Sequence, residues 1–326
     1  MNAGRRNATV VTEFILLGFG HFSELYILSF PTFLVIYIAA MLENLLIVVL
    51  VISDQHLHTP MYFFLGNLSC MEIWYISNIL PRMLANSFSL ENTISFSGCL
   101  TQFFFFGFLL GTECCLLSVM SYDRYVAICR PLHYKTHMTN RRCLSLMVGS
   151  WLSGFLGSTL ITTLFLQSAF CGPNEIDHFF CDFVPLVKLL CNDPSIIALL
   201  TFLLSFIFTL PPFLLTLSSY ICIIFTILRI PSATGMQKAF STCSSHLIVV
   251  TIFYGSIITV YQLPKNSTLD NLNKIFSLCY TILNPMINPL IYSLRNREVK
   301  ESLKKALCRN MYLSSKPKLI LGSSNL

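Results

Sequence analysis

Seven long apolar stretches constrain this chain more than any other feature of its sequence. A helix needs about 20 apolar residues to cross a hydrocarbon core about 30 Å thick. The stretches of sufficient length are 25–52, 60–80, 99–122, 143–170, 195–228, 239–263 and 275–294. The last four contain no Asp, Glu, Lys or Arg, whereas the first three contain one acid each, at Glu43, Glu72 and Glu113.

These stretches predict an all-α membrane protein built as a seven-transmembrane helix bundle. Separate spans satisfy their own backbone only as helices, because the strands of a membrane barrel are about 10 residues long. The composition agrees, since 54% of the residues are hydrophobic and 11% are charged. Soluble domains carry about 25% charged residues, so the polar coat of a large soluble protein is missing. We find no internal repeat and no second domain.

Basic residues are distributed unevenly along the chain. They cluster within 124–142 and 295–318, and loops rich in Lys and Arg face the cytoplasm. We therefore expect an extracellular tail over 1–24, the seven spans over 25–294 and a cytoplasmic segment over 295–326. This placement accounts for the net charge of +6 better than nucleic-acid binding does. The sequon at Asn7 lies in the external tail and is a candidate glycosylation site.

Apolar residues recur at helical spacing after the seventh span, between basic ones. They are Val299, Leu303, Ala306 and Leu307. This pattern predicts a short amphipathic helix on the inner leaflet of the membrane. Cys308 lies beside it and is a candidate for acylation.

Four segments carry a resemblance to a known family. They read PMYFFLGNLS at 60–69, MSYDRYVAIC at 120–129, KAFSTCSSH at 238–246 and PMINPLIYSLRN at 285–296. Together they resemble the signatures of vertebrate olfactory receptors, within the rhodopsin-like class of G-protein-coupled receptors. The segment CGPNEIDHFFCDF at 171–183 resembles the tetrapod-type (class II) branch. The chain departs from the family at Glu72, where Asp is more usual, and at Asn284, where many members have Thr.

The resemblance implies a plasma-membrane receptor that binds volatile molecules and activates a stimulatory G protein, which raises cyclic AMP. It also implies a switch at Asp123-Arg124-Tyr125, with Arg124 contacting the G protein. An Arg that exchanges its Asp for another partner is a bistable electrostatic element. The other residues implied in the switch are Tyr220, Tyr254, Asn288, Pro289 and Tyr292. Pro289 must also kink the seventh span, because it frees a backbone carbonyl.

Four cysteines lie on the face expected to be extracellular, where disulfides form. Four cysteines allow three pairings. The resemblance implies Cys99–Cys181 and Cys171–Cys191. His178 lies in the same outer region, where we expect a surface residue rather than a metal ligand or a pH sensor. His246, in span six, is expected to be a hydrogen-bonded packing residue.

Two acids, Glu72 and Glu113, fall inside spans. A carboxylate at the bilayer centre costs about 2.5–3.5 kcal/mol on insertion scales. The pair could be neutral and hydrogen-bonded in the core, share a proton, or hold a cation with nearby Asn and Ser oxygens. The resemblance favours a structural sodium ion as the single cofactor.

The helical register relative to the motifs predicts a small-molecule pocket in the outer half of the bundle. Its predicted lining is Phe106, Gly107, Leu110, Gly111, Leu204, Ser205, Phe208, Ile257, Ile258, Tyr261, Leu278 and Thr281. The alternative is that these residues only fill the core. Gly107 and Gly111 are expected to leave room for the ligand, and the aromatic run at 103–106 favours an uncharged one. Span three lacks the outer acid that an amine receptor would need.

Two other functions remain open from the residues alone. A receptor of the same fold could take a non-odorant small ligand. A transporter would show two repeated halves and broken helices, and the odd number of spans argues against it. The sequence contains no nucleophile with its base and no nucleotide-binding loop, so we do not expect an enzyme.

Overall fold

The structure is a computed structural model that describes residues 11–18, 23–86, 92–170, 173–191, 194–261, 270–295 and 297–314. Its helices are α1 (Ser23–Ser53), α2 (Pro60–Asn86), α3 (Phe96–Cys129), α4 (Tyr134–His137), α5 (Asn140–Leu166), α6 (Phe183–Lys188), α7 (Pro194–Leu228), α8 (Ala233–Tyr261), α9 (Asp270–Leu278), α10 (Asn284–Arg295) and α11 (Arg297–Ser314). Short 3-10 turns cover Gln55–Leu57 and Pro131–His133.

The helices that cover the predicted spans confirm the seven-helix bundle. Within the described residues, five helices are long and apolar enough to cross a membrane: Phe30–Ser53, Phe96–Cys129, Asn140–Leu166, Leu199–Leu228 and Cys243–Tyr261. The second and seventh spans are less apolar. Helix α2 contains Glu72 and Arg82, and the seventh span is divided into α9, a π-helical turn at Cys279–Leu283, and α10. Helix α3 packs against α2, α5, α7 and α8.

Pro289 lies inside α10, and the backbone carbonyl that it frees has a partner. Proline has no N–H to donate to the carbonyl four residues earlier, which here belongs to Pro285. The side-chain nitrogen of Asn44 donates to Pro285 O at 2.9 Å and to Ala40 O at 3.0 Å. Asn44 is fully buried, so the first span supplies the hydrogen bond that the seventh lacks.

A small sheet lies beside Cys99 and Cys181, at what we call the disulfide end of the bundle. Strand β1 (Glu13–Leu16) is its centre, antiparallel to β2 (Thr93–Ser95) and parallel to β3 (Glu175–Ile176). Phe14 and Leu16 are fully buried, and the ring of Phe14 lies 5.7 Å from that of Phe170. The sequence analysis predicted only a tail here. A four-residue strand needs hydrogen-bond partners, and those of β1 belong to loops that are distant in the sequence.

The disulfide end is also fixed covalently. Cys99 and Cys181 form a disulfide that joins the start of α3 to the long loop before α7, so this predicted pairing is confirmed. Cys191 is disulfide-bonded as well, but its predicted partner Cys171 lies outside the described residues, as does Asn7.

Helix α11 begins at Arg297, directly after the seventh span. Val299 and Ser302 are buried on it, whereas Lys300, Lys304 and Lys305 are exposed. The side chains of Ala306 and Leu307 lie outside the described ones. The placement of this helix on the inner leaflet stays a prediction, as does acylation of the exposed Cys308.

Candidate functional site

A cavity of 170 Å³ lies between α3, α5, α7 and α8, under the loop that carries Cys181. Most of its wall is aromatic and aliphatic side chains or glycine. The lining residues are Phe103, Phe106, Gly107, Leu110, Gly111, Ser153, Gly154, Gly157, Ser158, Ile161, Asp182, Phe183, Val184, Thr201, Phe202, Ser205, Phe208, Thr209, Ile257 and Tyr261. A concave apolar wall with a few polar groups is typical of small-molecule sites.

Eight of the twelve residues predicted for the pocket line this cavity. They are Phe106, Gly107, Leu110, Gly111, Ser205, Phe208, Ile257 and Tyr261. Leu204 and Leu278 are outside its lining. The expected inward position of Ile258 is wrong, since its side chain is 42% exposed on the outside of α8. Thr281 is fully buried away from the cavity and donates to Ser277 O at 2.6 Å, because the π-helical turn changes the register of the seventh span.

Gly107 and Gly111 of α3 line the cavity, and Gly111 also serves helix packing. A Cβ on Gly111 would lie 3.1 Å from the backbone Cα of Gly154, and one on Gly154 would lie 2.5 Å from Phe108 O. Helices α3 and α5 therefore approach each other backbone to backbone at these positions. Small residues at such contacts allow close packing of membrane helices. A large side chain at Gly111 would separate the two helices before it filled the cavity.

The sequence analysis missed five polar residues of the cavity: Ser153, Ser158, Asp182, Thr201 and Thr209. Asp182 is 1% exposed, and its Oδ1 accepts from Tyr261 OH at 2.7 Å and from the backbone N of Phe183 at 2.8 Å. The second bond caps α6. Thr201 is 2% exposed, and its hydroxyl has no hydrogen-bond partner among the residues that the structure describes. Thr209 donates to Ser205 O at 2.7 Å. Asp182 belongs to a loop, so no helical periodicity could have placed it.

Tyr261 links the cavity to the seventh span. Its hydroxyl lies 3.1 Å from that of Tyr280, which in turn donates to Ser277 Oγ at 3.1 Å. Tyr280 and Ser277 are fully buried. A hydrogen-bonded chain thus runs from the loop acid Asp182 through α8 to the seventh span. Such a chain is a route by which a change at the cavity could alter how these two helices pack.

The loop above the cavity is held to the N-terminal segment by Lys274. Its ammonium donates to Asp177 Oδ1 at 2.5 Å and to Gly18 O at 3.1 Å. Gly18 has a positive φ of 59°, a conformation that glycine adopts without strain. One cation therefore joins the chain after β1, the loop after β3, and α9.

His178 is buried in the same loop, so its expected surface position is wrong. It is 5% exposed, and its ring lies 4.5 Å from that of Phe179 and 4.7 Å from that of Phe180. Burial, together with the positive charge of Lys274, lowers the pKa of His178 to about 3. The loop folds inward over the bundle because the disulfide and the aromatic side chains anchor it there.

At the opposite end, Asp123 and Arg124 form an ion pair. Asp123 Oδ1 also accepts from Tyr134 OH at 2.7 Å, and burial with the nearby Asp123 charge raises the pKa of Tyr134. Tyr125 is half-buried and flanks this pair on α3. Tyr220, one of the residues implied in the switch, has its hydroxyl 2.5 Å from His246 Nδ1. The side chain of Tyr292 lies outside the described ones.

His246 is thus a hydrogen-bonded packing residue, as predicted. Between the two ends of the bundle, Tyr254 is buried and donates to the backbone carbonyl of Cys114 at 3.2 Å. Its ring lies 5.1 Å from that of Phe213. Tyr254 therefore connects α8 with α3 and α7 but does not line the cavity.

The buried acids Glu72 and Glu113 belong to a polar cluster with Asn44 and Asn288, in which several oxygens have no donor in the part of the chain that the structure describes. Asn288 donates to Glu72 Oε1 at 2.5 Å. Within the described part of the chain, the atoms of this cluster that have no hydrogen-bond partner are Glu72 Oε2, both carboxyl oxygens of Glu113, Asn44 Oδ1 and Asn288 Oδ1. Oxygens of this kind suit a hard cation, so the residues present fit the expected sodium ion. Among the described residues, no three His, Cys, Asp or Glu side chains form a metal-binding group, so amide oxygens would have to complete the site.

Known proteins resemble this chain over nearly all of its length. The sequence profile described as "Olfactory receptor" matches residues 33–310. Human olfactory receptor 6B1 is 52% identical over 93% of this chain and 97% of its own. Human olfactory receptor 11A1 is 49% identical over 91% and 94%. Mouse olfactory receptor 5AP2 is 47% identical over 93% and 95%.

These matches cover the bundle, the disulfide and the residues that line the cavity. With its apolar helices, the chain is a multi-pass plasma-membrane protein and a receptor rather than an enzyme. The resemblance noted in the sequence is confirmed, and the chain belongs to the olfactory receptor family.

Proposed function

We propose that the cavity is the binding site for a small, largely apolar volatile molecule. The observation that carries the proposal is its lining, in which apolar side chains surround a few polar groups. Phe106, Leu110, Phe208 and Ile257 would bury the hydrocarbon body, while Ser205 or Tyr261 would anchor one hydrogen-bonding group. Burial of each CH₂ contributes about 0.8 kcal/mol, so a ligand of a few carbons gains most of its affinity from the burial of its hydrocarbon part.

Signalling would start at the ligand and end at Arg124. A ligand that binds one packing of α8 and the seventh span better than another shifts the receptor toward that packing. Release of Arg124 from Asp123 would then expose a cation to a stimulatory G protein, which raises cyclic AMP. This scheme requires the disulfide end and the N-terminus to be extracellular, as the distribution of basic residues predicts.

A matched pair of substitutions on α8 tests the site. Ile257 lines the cavity, whereas the next residue, Ile258, is exposed on the outside of the helix. We expect Ile257→Trp to lower odorant potency at least about fivefold by filling the cavity, because overpacking costs about 1–3 kcal/mol. Ile258→Trp should leave potency within about twofold. The measurement is a cyclic AMP dose–response in transfected cells, first with a panel of volatiles and then with the active ones.

Equal potency losses for the two variants at matched surface levels would place the ligand elsewhere. Volatiles that lose potency in Ile258→Trp but not in Ile257→Trp would point to a site on the membrane-facing side of α8. Absence of any cyclic AMP response, with the receptor at the cell surface, would contradict the proposed coupling.

We also propose that Glu72 and Glu113 hold a sodium ion together with Asn44 and Asn288. The unpartnered oxygens of the cluster support this, since a cation would satisfy them at once. Replacing potassium by sodium should raise the unfolding temperature of purified receptor, and Glu113→Gln should remove that difference. If both proteins respond equally to the two salts, the acids are neutral and hydrogen-bonded instead.

A further inference from the structure

One hydroxyl in the wall of the cavity is buried without a hydrogen bond. Thr201 of α7 lines the cavity and is 2% exposed, and its Oγ1 has no partner among the residues that the structure describes. A threonine inside a helix commonly donates to the carbonyl four residues earlier. Thr209, about two turns further along the same helix, does so with Ser205 O at 2.7 Å. The hydroxyl of Thr201 therefore keeps a donor for a ligand, whereas that of Thr209 is already used.

Other hydroxyls of the cavity wall are also bonded within the protein. Ser158 donates to Phe104 O at 2.6 Å, and Tyr261 donates to Asp182 Oδ1 at 2.7 Å. A buried hydroxyl that has lost water and found no other partner is costly, and this cost exceeds the net contribution of an ordinary hydrogen bond. An acceptor that enters the cavity therefore gains most at Thr201, because it supplies a bond that the protein does not.

An acceptor oxygen without a hydrogen of its own is the ligand group that best complements the Thr201 hydroxyl. A carbonyl oxygen has two lone pairs and no donor, so a bond from Thr201 leaves neither partner with an unpaired hydrogen. A ligand hydroxyl brings a hydrogen of its own, so one of the two hydroxyl hydrogens stays unpaired against an apolar wall. A hydrocarbon leaves Thr201 without a partner. A carbonyl compound therefore fits this position better than an alcohol or a hydrocarbon.

We infer that Thr201 determines the ligand class of the cavity, which is neutral carbonyl compounds such as ketones, aldehydes and esters. The inference rests on the proposed function of the cavity and narrows it. The hydrocarbon body packs against the apolar side chains of the wall, while the carbonyl oxygen accepts from Thr201. Its second lone pair is left for Ser205, which lines the cavity one turn further along α7.

Three probes that share a carbon ring test the role of Thr201: cyclohexanone, methylenecyclohexane and cyclohexanol. Methylenecyclohexane has a CH₂ group in place of the carbonyl oxygen, so it has almost the same shape without the acceptor. The full-length receptor is purified in lipid nanodiscs, and its unfolding temperature is titrated with each probe. The concentration of methylenecyclohexane that gives a half-maximal shift is divided by that of cyclohexanone. Partition of the probes between water and lipid is the same for every variant, so it cancels when these ratios are compared.

Thr201→Val removes the hydroxyl and keeps the branched shape of the side chain. We expect the ratio to fall at least about fivefold in this variant, because the carbonyl loses its donor. Cyclohexanol should lose less affinity than cyclohexanone, since one hydroxyl hydrogen is unpaired with either side chain. Thr216→Val is the matched control. It removes another buried hydroxyl of α7, at a residue that does not line the cavity, so the ratio should equal that of the unmodified receptor.

A second pair of variants decides the matter even if Thr201→Val does not fold. Thr201→Ser keeps a hydroxyl at this position, whereas Thr201→Ala has none. The ratio should stay close to that of the unmodified receptor in the first variant and fall in the second. Because serine and alanine differ by one oxygen atom, the comparison isolates the hydroxyl from the loss of the methyl group.

Four results would overturn the inference. They are a ratio that is unchanged in the variants without the hydroxyl, a ratio that falls equally in Thr216→Val, equal losses for cyclohexanol and cyclohexanone, and no stabilisation by cyclohexanone at all.

Ile257→Trp separates this inference from the proposed function. If it weakens both cyclohexanone and methylenecyclohexane while Thr201→Val leaves their ratio unchanged, the cavity is the site and only its ligand class is wrong. If Ile257→Trp weakens neither probe, the ligands bind elsewhere and the proposed function fails together with the inference.

Discussion

Asp182 and His178 show how much one loop adds to the chemistry of the bundle. Both are nearly fully buried, although they lie four residues apart in a segment between two spans. Asp182 supplies the acid of the cavity, and His178 packs against Phe179 and Phe180. At this scale, the burial of a side chain follows from where its loop folds, and it could not be inferred from the residue type alone.

The buried imidazole of His178 predicts a pH dependence of stability. Its pKa is about 3 in the folded protein and about 6.5 when unfolded. Between these values the unfolded state binds the extra proton, so the stability that is present above about pH 6.5 falls as the pH falls toward 3. At pH 5 the loss is roughly 2 kcal/mol.

His178→Phe should therefore flatten the decrease in unfolding temperature between pH 7 and pH 5. The comparison is made on purified receptor in nanodiscs, with His56→Gln as the control. His56 is exposed, so this variant should keep the original dependence. Identical curves for all three proteins would show that His178 is not buried in its neutral form.

At the scale of elements, β1 and the seventh span acquire their roles from distant segments. Strand β1 has hydrogen-bond partners only because the loops that carry β2 and β3 meet there. Helix α10, which contains Pro289, is stabilised by Asn44 of α1 at the carbonyl of Pro285. Neither element would be stable as an isolated segment, since each has backbone groups that another part of the chain must satisfy.

Strand β1 should therefore be needed to stabilise the loop above the cavity. Phe14→Ala removes a fully buried ring, which costs about 3–5 kcal/mol in a core. Leu17→Ala changes a residue that is 37% exposed, and surface substitutions usually stay within about 0.5 kcal/mol. We expect only the first variant to lower the unfolding temperature and the odorant response. Equal behaviour would mean that the sheet does not support the bundle.

At the scale of the whole molecule, the two ends of the bundle are built differently. The disulfide end is held by a sheet, a disulfide and the bonds of Lys274. The Arg124 end is held by an ion pair and single hydrogen bonds. Polar bonds can exchange partners more easily than covalent ones, so rearrangement should concentrate at the Arg124 end.

The predicted orientation of the molecule is tested with epitope tags. An N-terminal tag should bind antibody on intact cells, because the disulfide end is expected outside. A C-terminal tag should bind only after the cells are permeabilised. A C-terminal tag that is accessible on intact cells would contradict the distribution of basic residues as a guide to topology.

The sequence by itself determined the number of membrane spans, the membrane environment and the family. These follow from apolar length and from contiguous motifs, which do not depend on tertiary contacts. It also located much of the cavity wall on α3, α7 and α8, because helical periodicity fixes which residues share a face. Ile258 and Thr281 were misplaced, since small rotations and a π-helical turn change the face that a residue presents.

Only the tertiary structure decided the positions of the segments that precede and connect those helices. The strand β1, the buried His178 and the carboxylate of Asp182 all belong to segments without a helical period, so their positions depend on distant partners. The packing role of Gly111 also became clear only when the backbone of Gly154 was found 3.1 Å from its potential Cβ. Local patterns specify a helix, but contacts between residues far apart in the chain specify a site.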